Sequence, residues 1–343
     1  MKTSDIGNKW RELVAKYQRP NTRAAIIQMC TTLIPLAASI VLMAFAMRIH
    51  YGLVLLLAIP TGGLLVRTFI VMHDCGHGSF FASRRWNDIV GFVTGVLTFT
   101  PYVQWRRDHA IHHATSGNLD KRGWGDVTTL TVKEYLALSR WGRLKYRLYR
   151  NPLTLLVFGP VWMAISQRLP TPGEMTTAKE RLSVHATNIV LVAVAVLLGI
   201  LGALDTAAAI YLPAFLVAGA TGIWLFYVQH QFEDAYWRPA SEWDYATSAL
   251  KGSSYLKLPK VFQWFTGNIG LHHVHHLSPR IPNYRLQQCH DEHPEFQNVP
   301  TITFWQGMKA LGLKLWDEER SRMIGFRELR RARAATYRSQ TAG

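Results

Sequence analysis

Fourteen of the 343 residues are histidine, and nine of them fall into three tight groups: His73 with His77; His109 with His112 and His113; and His272 with His273, His275 and His276. Neutral imidazole is the commonest protein metal ligand. A spacing of three or four residues puts two imidazoles on one helix face, where their nitrogens can converge on an ion. The second and third groups share one pattern, a histidine followed three and four residues later by an adjacent pair. A lone histidine is normally a packed or solvated side chain; three such groups in one chain point to metal instead. His230 stands by itself and could be an ordinary interfacial histidine, but its position at the end of an apolar run, on the same side as the groups, makes it a further ligand.

About nine imidazoles exceed what one four-coordinate zinc can take, so a two-metal site is indicated. Imidazole suits zinc, copper, iron or nickel, so the histidines alone leave the metal open. A His-Glu-x-x-His pattern, which would suggest zinc-protease chemistry, does not occur. Asp74, Asp108, Glu233 and Asp234 adjoin these histidines and could accept imidazole N–H bonds, fixing ring orientation. Each could equally be a solvated surface carboxylate.

The elements that must position these groups are apolar. Residues 24–46 carry no charge and suffice to span a hydrocarbon core. A second run, 53–72, is broken by Pro60, Gly62, Gly63 and Arg67, whose long stem is expected to snorkel to the interface. Runs 184–204 and 206–229 are separated so tightly that they must form a second helical hairpin. Stretches 89–103 and 153–166 are short and contain Gly or Pro, which suits interfacial or re-entrant helices. Residues 132–150 interleave aromatics with Arg and Lys and are expected to lie on an anionic leaflet, or else to pack as a solvated basic helix. The tail 327–338 is basic and is read as a solvated or frayed end.

The expectation is one all-α membrane domain over 1–343. It comprises a polar N-terminus (1–23), a first transmembrane hairpin (24–72), a cytosolic and interfacial segment (73–183), a second hairpin (184–229) and a cytosolic segment (230–343) that completes a helical cap over the dimetal site. No cleaved leader is expected, because the first apolar run is too long for one. Three scattered cysteines, Cys30, Cys75 and Cys289, suit a reducing context rather than a disulfide framework. With both termini in the cytosol, Arg48 is the only Lys or Arg in the outer turns, as the positive-inside bias requires. The net charge of +16 by itself would also suit nucleic acid or an acidic partner.

The segments His73-Asp-Cys-Gly-His77-Gly-Ser-Phe-Phe, His109-Ala-Ile-His112-His113-Ala-Thr-Ser-Gly and Gly270-Leu-His272-His273-Val-His275-His276-Leu-Ser-Pro-Arg resemble the three histidine boxes of the membrane fatty acid desaturase family. The resemblance covers roughly 66–286, and the segments 118–123 and 230–237 are similar to the acyl-lipid branch found in bacteria. It implies a diiron centre held by His73, His77, His109, His112, His113, His230, His272, His275 and His276 beside a four-helix membrane stem; His273 fills a variable position. It also implies a cis double bond introduced into a lipid-linked or other acyl chain with O2 as co-substrate and two electrons from a soluble ferredoxin-like carrier. The positions of the three groups beyond the ends of the spans put the active site on the cytosolic side, and the expectation is a bacterial inner-membrane enzyme with no nucleic-acid partner. Some acyl-CoA relatives complete the centre with a water-bridging asparagine where this chain has Phe226; Asn268 is either a stand-in or an ordinary turn residue. Trp224, Phe226, Tyr227 and Trp264 are candidates to line an acyl tunnel or simply to pack in the core. A sister hydroxylase or ketolase remains an alternative, as does a histidine-rich metal transporter or sensor, although its relay would require polar groups inside the spans.

Overall fold

The computed structural model describes residues 9–123, 127–171 and 176–341, the side chains of 333 and 335–341 excepted. Residues 1–8 of the expected polar N-terminus therefore lie outside the described residues, and the end of the basic tail is described in its backbone alone.

After the short α1 (Trp10–Ala15), four long apolar helices form the stem: α2 (Thr22–Met47), α3 (Tyr51–Gly76), α9 (Ala178–Ile200) and α10 (Leu204–His230). Each exceeds the roughly 20 residues needed to cross a membrane. They pair as two hairpins, joined by 48–50 and 201–203. The Asn21 side chain caps α2 by accepting from the Ala24 N–H at 3.0 Å. α3 is the central helix: 61% of its apolar window is buried, against 17–22% for the other three, whose faces are left apolar and exposed. It packs closely on α10 because Gly62 has no side chain; a Cβ there would lie 2.6 Å from the Val217 side chain.

The apolar stretch 89–103 becomes a helical hairpin, α4 (Arg84–Leu97) and α5 (Tyr102–Thr115). Its tip, Phe99, takes a left-handed backbone (φ 55°) and lies against Tyr211 and Phe215, well within α10, so the re-entrant reading is the one that matches. The stretch 153–166 is a π-turn over Thr154–Phe158 running into α8 (Gly159–Ser166), with Phe158 and Trp162 exposed.

The basic stretch 132–150 is two helices, α6 (Val132–Ala137) and α7 (Arg140–Tyr149), because Leu138 and Ser139 leave the helix to cap α7. Only part of it suits a membrane surface. Trp141, Leu144 and Leu148 are exposed, whereas Tyr135, Tyr146 and Arg150 turn inward. Arg150 donates to the carbonyl of Thr128, the Tyr227 hydroxyl and Gln231 Oε1. Arg67 also departs from expectation. It stays buried, donating to Thr32 Oγ1 at 3.0 Å and to the Trp264 carbonyl, with its guanidinium 4.2 Å above the Trp264 ring. Local partners satisfy the buried charge, so there is no drive to snorkel.

Beyond the histidine-bearing end of the stem, the cap is built from α11 (Tyr245–Gly252), α12 (Lys260–Phe265), α13 (His272–Leu277), α14 (Asn283–Glu292), α15 (Phe304–Ala310) and α16 (Phe326–Thr341), which covers the basic tail. Two small sheets lace it together. β1 (Leu130–Thr131) runs parallel to β4 (Leu315–Asp317), itself antiparallel to β5 (Arg322–Ile324); β2 (Tyr255–Lys257) runs parallel to β3 (Thr301–Thr303). Val14 of the N-terminal α1, and Tyr17 just after it, share an apolar cluster with Leu271, Val274 and Leu277 around the third histidine group.

Candidate metal centre

Four elements bring the histidines together. The last turn of α3 carries His73 and its C-cap is His77; α5 carries His109, His112 and His113; α10 ends at His230; and α13 carries His272, His275 and His276. The second run was expected to stop before His73, but α3 continues to Gly76, so the stem itself holds the first ligand-type side chain. α13 is aimed by a tight turn in which Gly267 and Asn268 both take positive φ. A Cβ at Gly267 would meet Ile70 of α3 at 2.7 Å, so this turn needs glycine to sit against the stem.

All nine sequence-predicted residues converge, in two groups. His73, His77, His109, His113 and His275 form one, and His112, His230, His272 and His276 the other; in each, one nitrogen per ring lies within 4.8 Å of the rest. The Nε2 atoms of His109 and His73 are 3.0 Å apart, those of His275 and His113 3.0 Å, and those of His272 and His230 3.0 Å. Two imidazole nitrogens bound at right angles to one ion, each at ~2.1 Å, are ~3.0 Å apart, so the spacing fits metal ligation. His77 Nε2 and His276 Nε2 are buried without a hydrogen-bond partner among the described residues, as atoms aimed at an ion would be. Burial first, then neighbouring imidazoles, pushes the pKa of His77, His109, His113, His272, His275 and His276 well below the ordinary value. The rings are therefore neutral, the form that binds metal.

Hydrogen bonds behind two of the rings, His73 and His230, set their orientation. His73 Nδ1 donates to Asp74 Oδ1 at 2.9 Å, leaving the lone pair on Nε2. Asp74 is held in turn, accepting at Oδ2 from the backbone N–H and side-chain amide of Asn283 at 2.6 and 2.8 Å, and Asn283 Oδ1 accepts from Gln28. His230 Nδ1 lies 3.2 Å from the Gly252 carbonyl and 3.3 Å from Ser116 Oγ. Of the four candidate carboxylates, only Asp74 makes such a contact. Asp108 accepts from Arg107 and Thr171, Glu233 from Arg322, and the exposed Asp234 lines a surface recess with Arg238 and Lys251. Asn283, Gly252 and Ser116 escaped the sequence reading; no local pattern marks them.

Asn268 is a turn residue, its amide donating to the Asn283 carbonyl. His273 points away from both groups to His290, 3.2 Å off. Phe226 packs on the site, its ring centroid 5.0 Å from that of His112 and 5.6 Å from His230. Trp224 and Tyr227 are core residues, the first donating to the Gly307 carbonyl and the second bonded to Arg150, while Trp264 covers Arg67.

The family model described as Fatty acid desaturase matches residues 48–306. A fatty acid desaturase of Bacillus subtilis (strain 168) is 44% identical over 334 residues, covering 96% of this chain and 94% of that protein. An sn-1 oleoyl-lipid 12-desaturase of Synechocystis sp. (strain ATCC 27184 / PCC 6803 / Kazusa) is 29% identical, covering 67% of this chain and 65% of that protein. An sn-1 acyl-lipid omega-3 desaturase (ferredoxin) of Nostoc sp. (strain 36) is 28% identical, covering 66% and 63%.

Proposed function

The chain belongs to the fatty acid desaturase family, and from that premise we propose that it is an acyl-lipid desaturase of the bacterial inner membrane. It is a membrane protein and an oxygen-dependent oxidoreductase. The proposal adds the lipid-linked acyl substrate, two irons and a soluble ferredoxin-like donor, with both termini and the active site in the cytosol. One iron takes His73, His77, His109, His113 and His275; the other takes His112, His230, His272 and His276. The observation that carries this reading is the sorting of nine imidazoles, seven buried and two half-buried, into two convergent groups.

The reaction converts –CH2–CH2– to –CH=CH–. Two hydrogens from the chain, two external electrons and two protons reduce O2 to two waters. Iron supplies the oxidising power that no amino-acid side chain has. The protein's contribution is placement and protection. Neutral rings orient their lone pairs, Asp74 fixes His73, and Phe226 presents an apolar wall beside His112 and His230. Two relatives named for lipid-linked acyl chains support the substrate, and one named with ferredoxin supports the donor. Arg48 as the only Lys or Arg between α2 and α3 or between α9 and α10 supports the orientation.

Gas chromatography and mass spectrometry of lipids from cells expressing the chain, beside His112→Ala, tests the proposal. New unsaturated species only with the unsubstituted chain are expected. Hydroxylated or oxo products would replace desaturation with the sister chemistry.

A further inference from the structure

α7 has two unlike faces. Tyr146 and Arg150 point inward, and on the opposite side Trp141, Leu144 and Leu148 recur at three- and four-residue spacing as one exposed apolar stripe. At about 100° per residue, Arg140 lies along one edge of that stripe and Lys145 along the other, both exposed. Depth along the stem locates the helix. At its C-terminal end Arg150 bonds to Tyr227 and Gln231, at the histidine-bearing end of α10. Farther on, Pro160 of α8 packs on Gly219 of α10, where a Cβ would meet it at 2.5 Å, ~12 Å deeper than Tyr227 by helical rise. Exposed Leu153, Phe158 and Trp162 continue the apolar surface down α8. α7 therefore stands at the rim of the stem, its stripe running into the surface that faces hydrocarbon.

The same rim gathers cations from two distant parts of the sequence. α16 docks on α6 and α7: the Phe326 ring lies 5.3 Å from that of Tyr135, the Arg147 guanidinium is 5.3 Å above Phe326, and Leu329 shares an apolar cluster with Tyr135 and Tyr146. The start of the basic tail, expected to be solvated or frayed, is thereby fixed beside α7. It exposes Arg327, Arg330 and Arg331, which like Arg140 and Lys145 have no acidic partner among the described residues. The carboxylates of α6 and α16 are already occupied, Glu134 by Arg122 at 2.5 Å and Glu328 by Arg320 at 3.5 Å and by Arg322. The exposed Glu318 and Glu319 lie at the β4–β5 turn, the other end of that hairpin from Leu315 and Ile324, which join the cluster.

We propose that α7 and the start of α16 form one binding face for anionic phospholipid in the leaflet at the histidine-bearing end. Trp141, Leu144 and Leu148 enter the acyl boundary, and Arg140, Lys145, Arg327, Arg330 and Arg331 meet the headgroup phosphates. An acidic protein would use the cations and leave the apolar stripe in water, whereas an anionic lipid surface matches both. The inference rests on the membrane stem and not on the chemistry at the histidines.

The test uses the purified full-length chain in a neutral detergent, titrated with phosphatidylglycerol or with phosphatidylcholine of the same acyl chains. The thermal midpoint and the phospholipid retained after size exclusion are read. Half of the rise in midpoint is expected at about tenfold lower phosphatidylglycerol than phosphatidylcholine, a preference that shrinks with salt. Arg140→Gln with Lys145→Gln, and separately Arg330→Gln with Arg331→Gln, should each cut that preference several-fold, and all four together should abolish it. Trp141→Ala should weaken the binding of both lipids. Lys9→Gln with Arg11→Gln, which removes the same charge from the exposed side of α1, should leave the preference intact. An equal response to the two lipids would overturn the inference. So would an equal loss from the α1 pair, because net charge alone would then account for it. Variants of α7 and α16 that keep the lipid preference but raise the KM for an acidic electron carrier would assign the face to a protein and overturn it as well.

Discussion

Asp74 and Asp108 both stand next to a box histidine, yet only Asp74 reaches an imidazole. Asp74→Asn should therefore weaken iron retention by about 10–100-fold, the usual cost of losing a hydrogen-bonded partner behind a ligand. Asp108→Asn should leave it within about twofold. Chelator titration of the two purified variants decides it, and equal loss from both would remove Asp74 from this role. The ligand-type histidines were legible because their spacing is local. Their division was not, because adjacent residues on a helix point about 100° apart. His112 and His113 consequently enter different groups, as do His275 and His276. Asn283 was invisible for the opposite reason: it reaches Asp74 from 209 residues away and follows no pattern.

The elements themselves set two further expectations. α3 and α10 approach through Gly62, where a Cβ would meet Val217 at 2.6 Å and the Ala214 carbonyl at 3.0 Å. Gly62→Leu should wedge the helices apart and destabilise the protein by about 1–3 kcal/mol, the typical cost of overpacking. A lower thermal midpoint in detergent is the expected outcome, and an unchanged one would contradict the close packing. In the cap, Lys314 donates to the Arg150 carbonyl, and burial, followed by the charge of Arg150, pushes its pKa down to about 7. The unfolded chain holds that proton up to the ordinary lysine value near 10.5, so between these two values it binds more protons than the folded chain. Stability should rise with pH across this window, and Lys314→Met should flatten the rise; unfolding midpoints at several pH values for both proteins measure it. The four spans were readable from apolar length, the second despite Pro60, Gly62, Gly63 and Arg67 within it. The break at Leu138 and Ser139 and the inward turn of Arg67 were not, since composition reports that a charge is present and not whether tertiary partners wait for it.

At the scale of the whole molecule, the net charge of +16 separates turnover driven by an acidic carrier from turnover driven by a small neutral reductant. The first should slow several-fold between low and physiological salt as screening weakens the attraction of a strongly basic chain, and the second should not. Equal salt dependence would mean that charge does not guide the carrier. Above all, the account requires that the membrane stem, the α4–α5 hairpin and the cap together deliver two sets of imidazoles to one centre. The most direct measurement is the iron content of the purified full-length chain together with its acyl products, beside His112→Ala and His113→Ala, which strike one group each. Two irons per unsubstituted chain, with both iron and unsaturated product reduced in each variant, is the predicted result. A single zinc, or an unsaturated product that survives both substitutions, would contradict it.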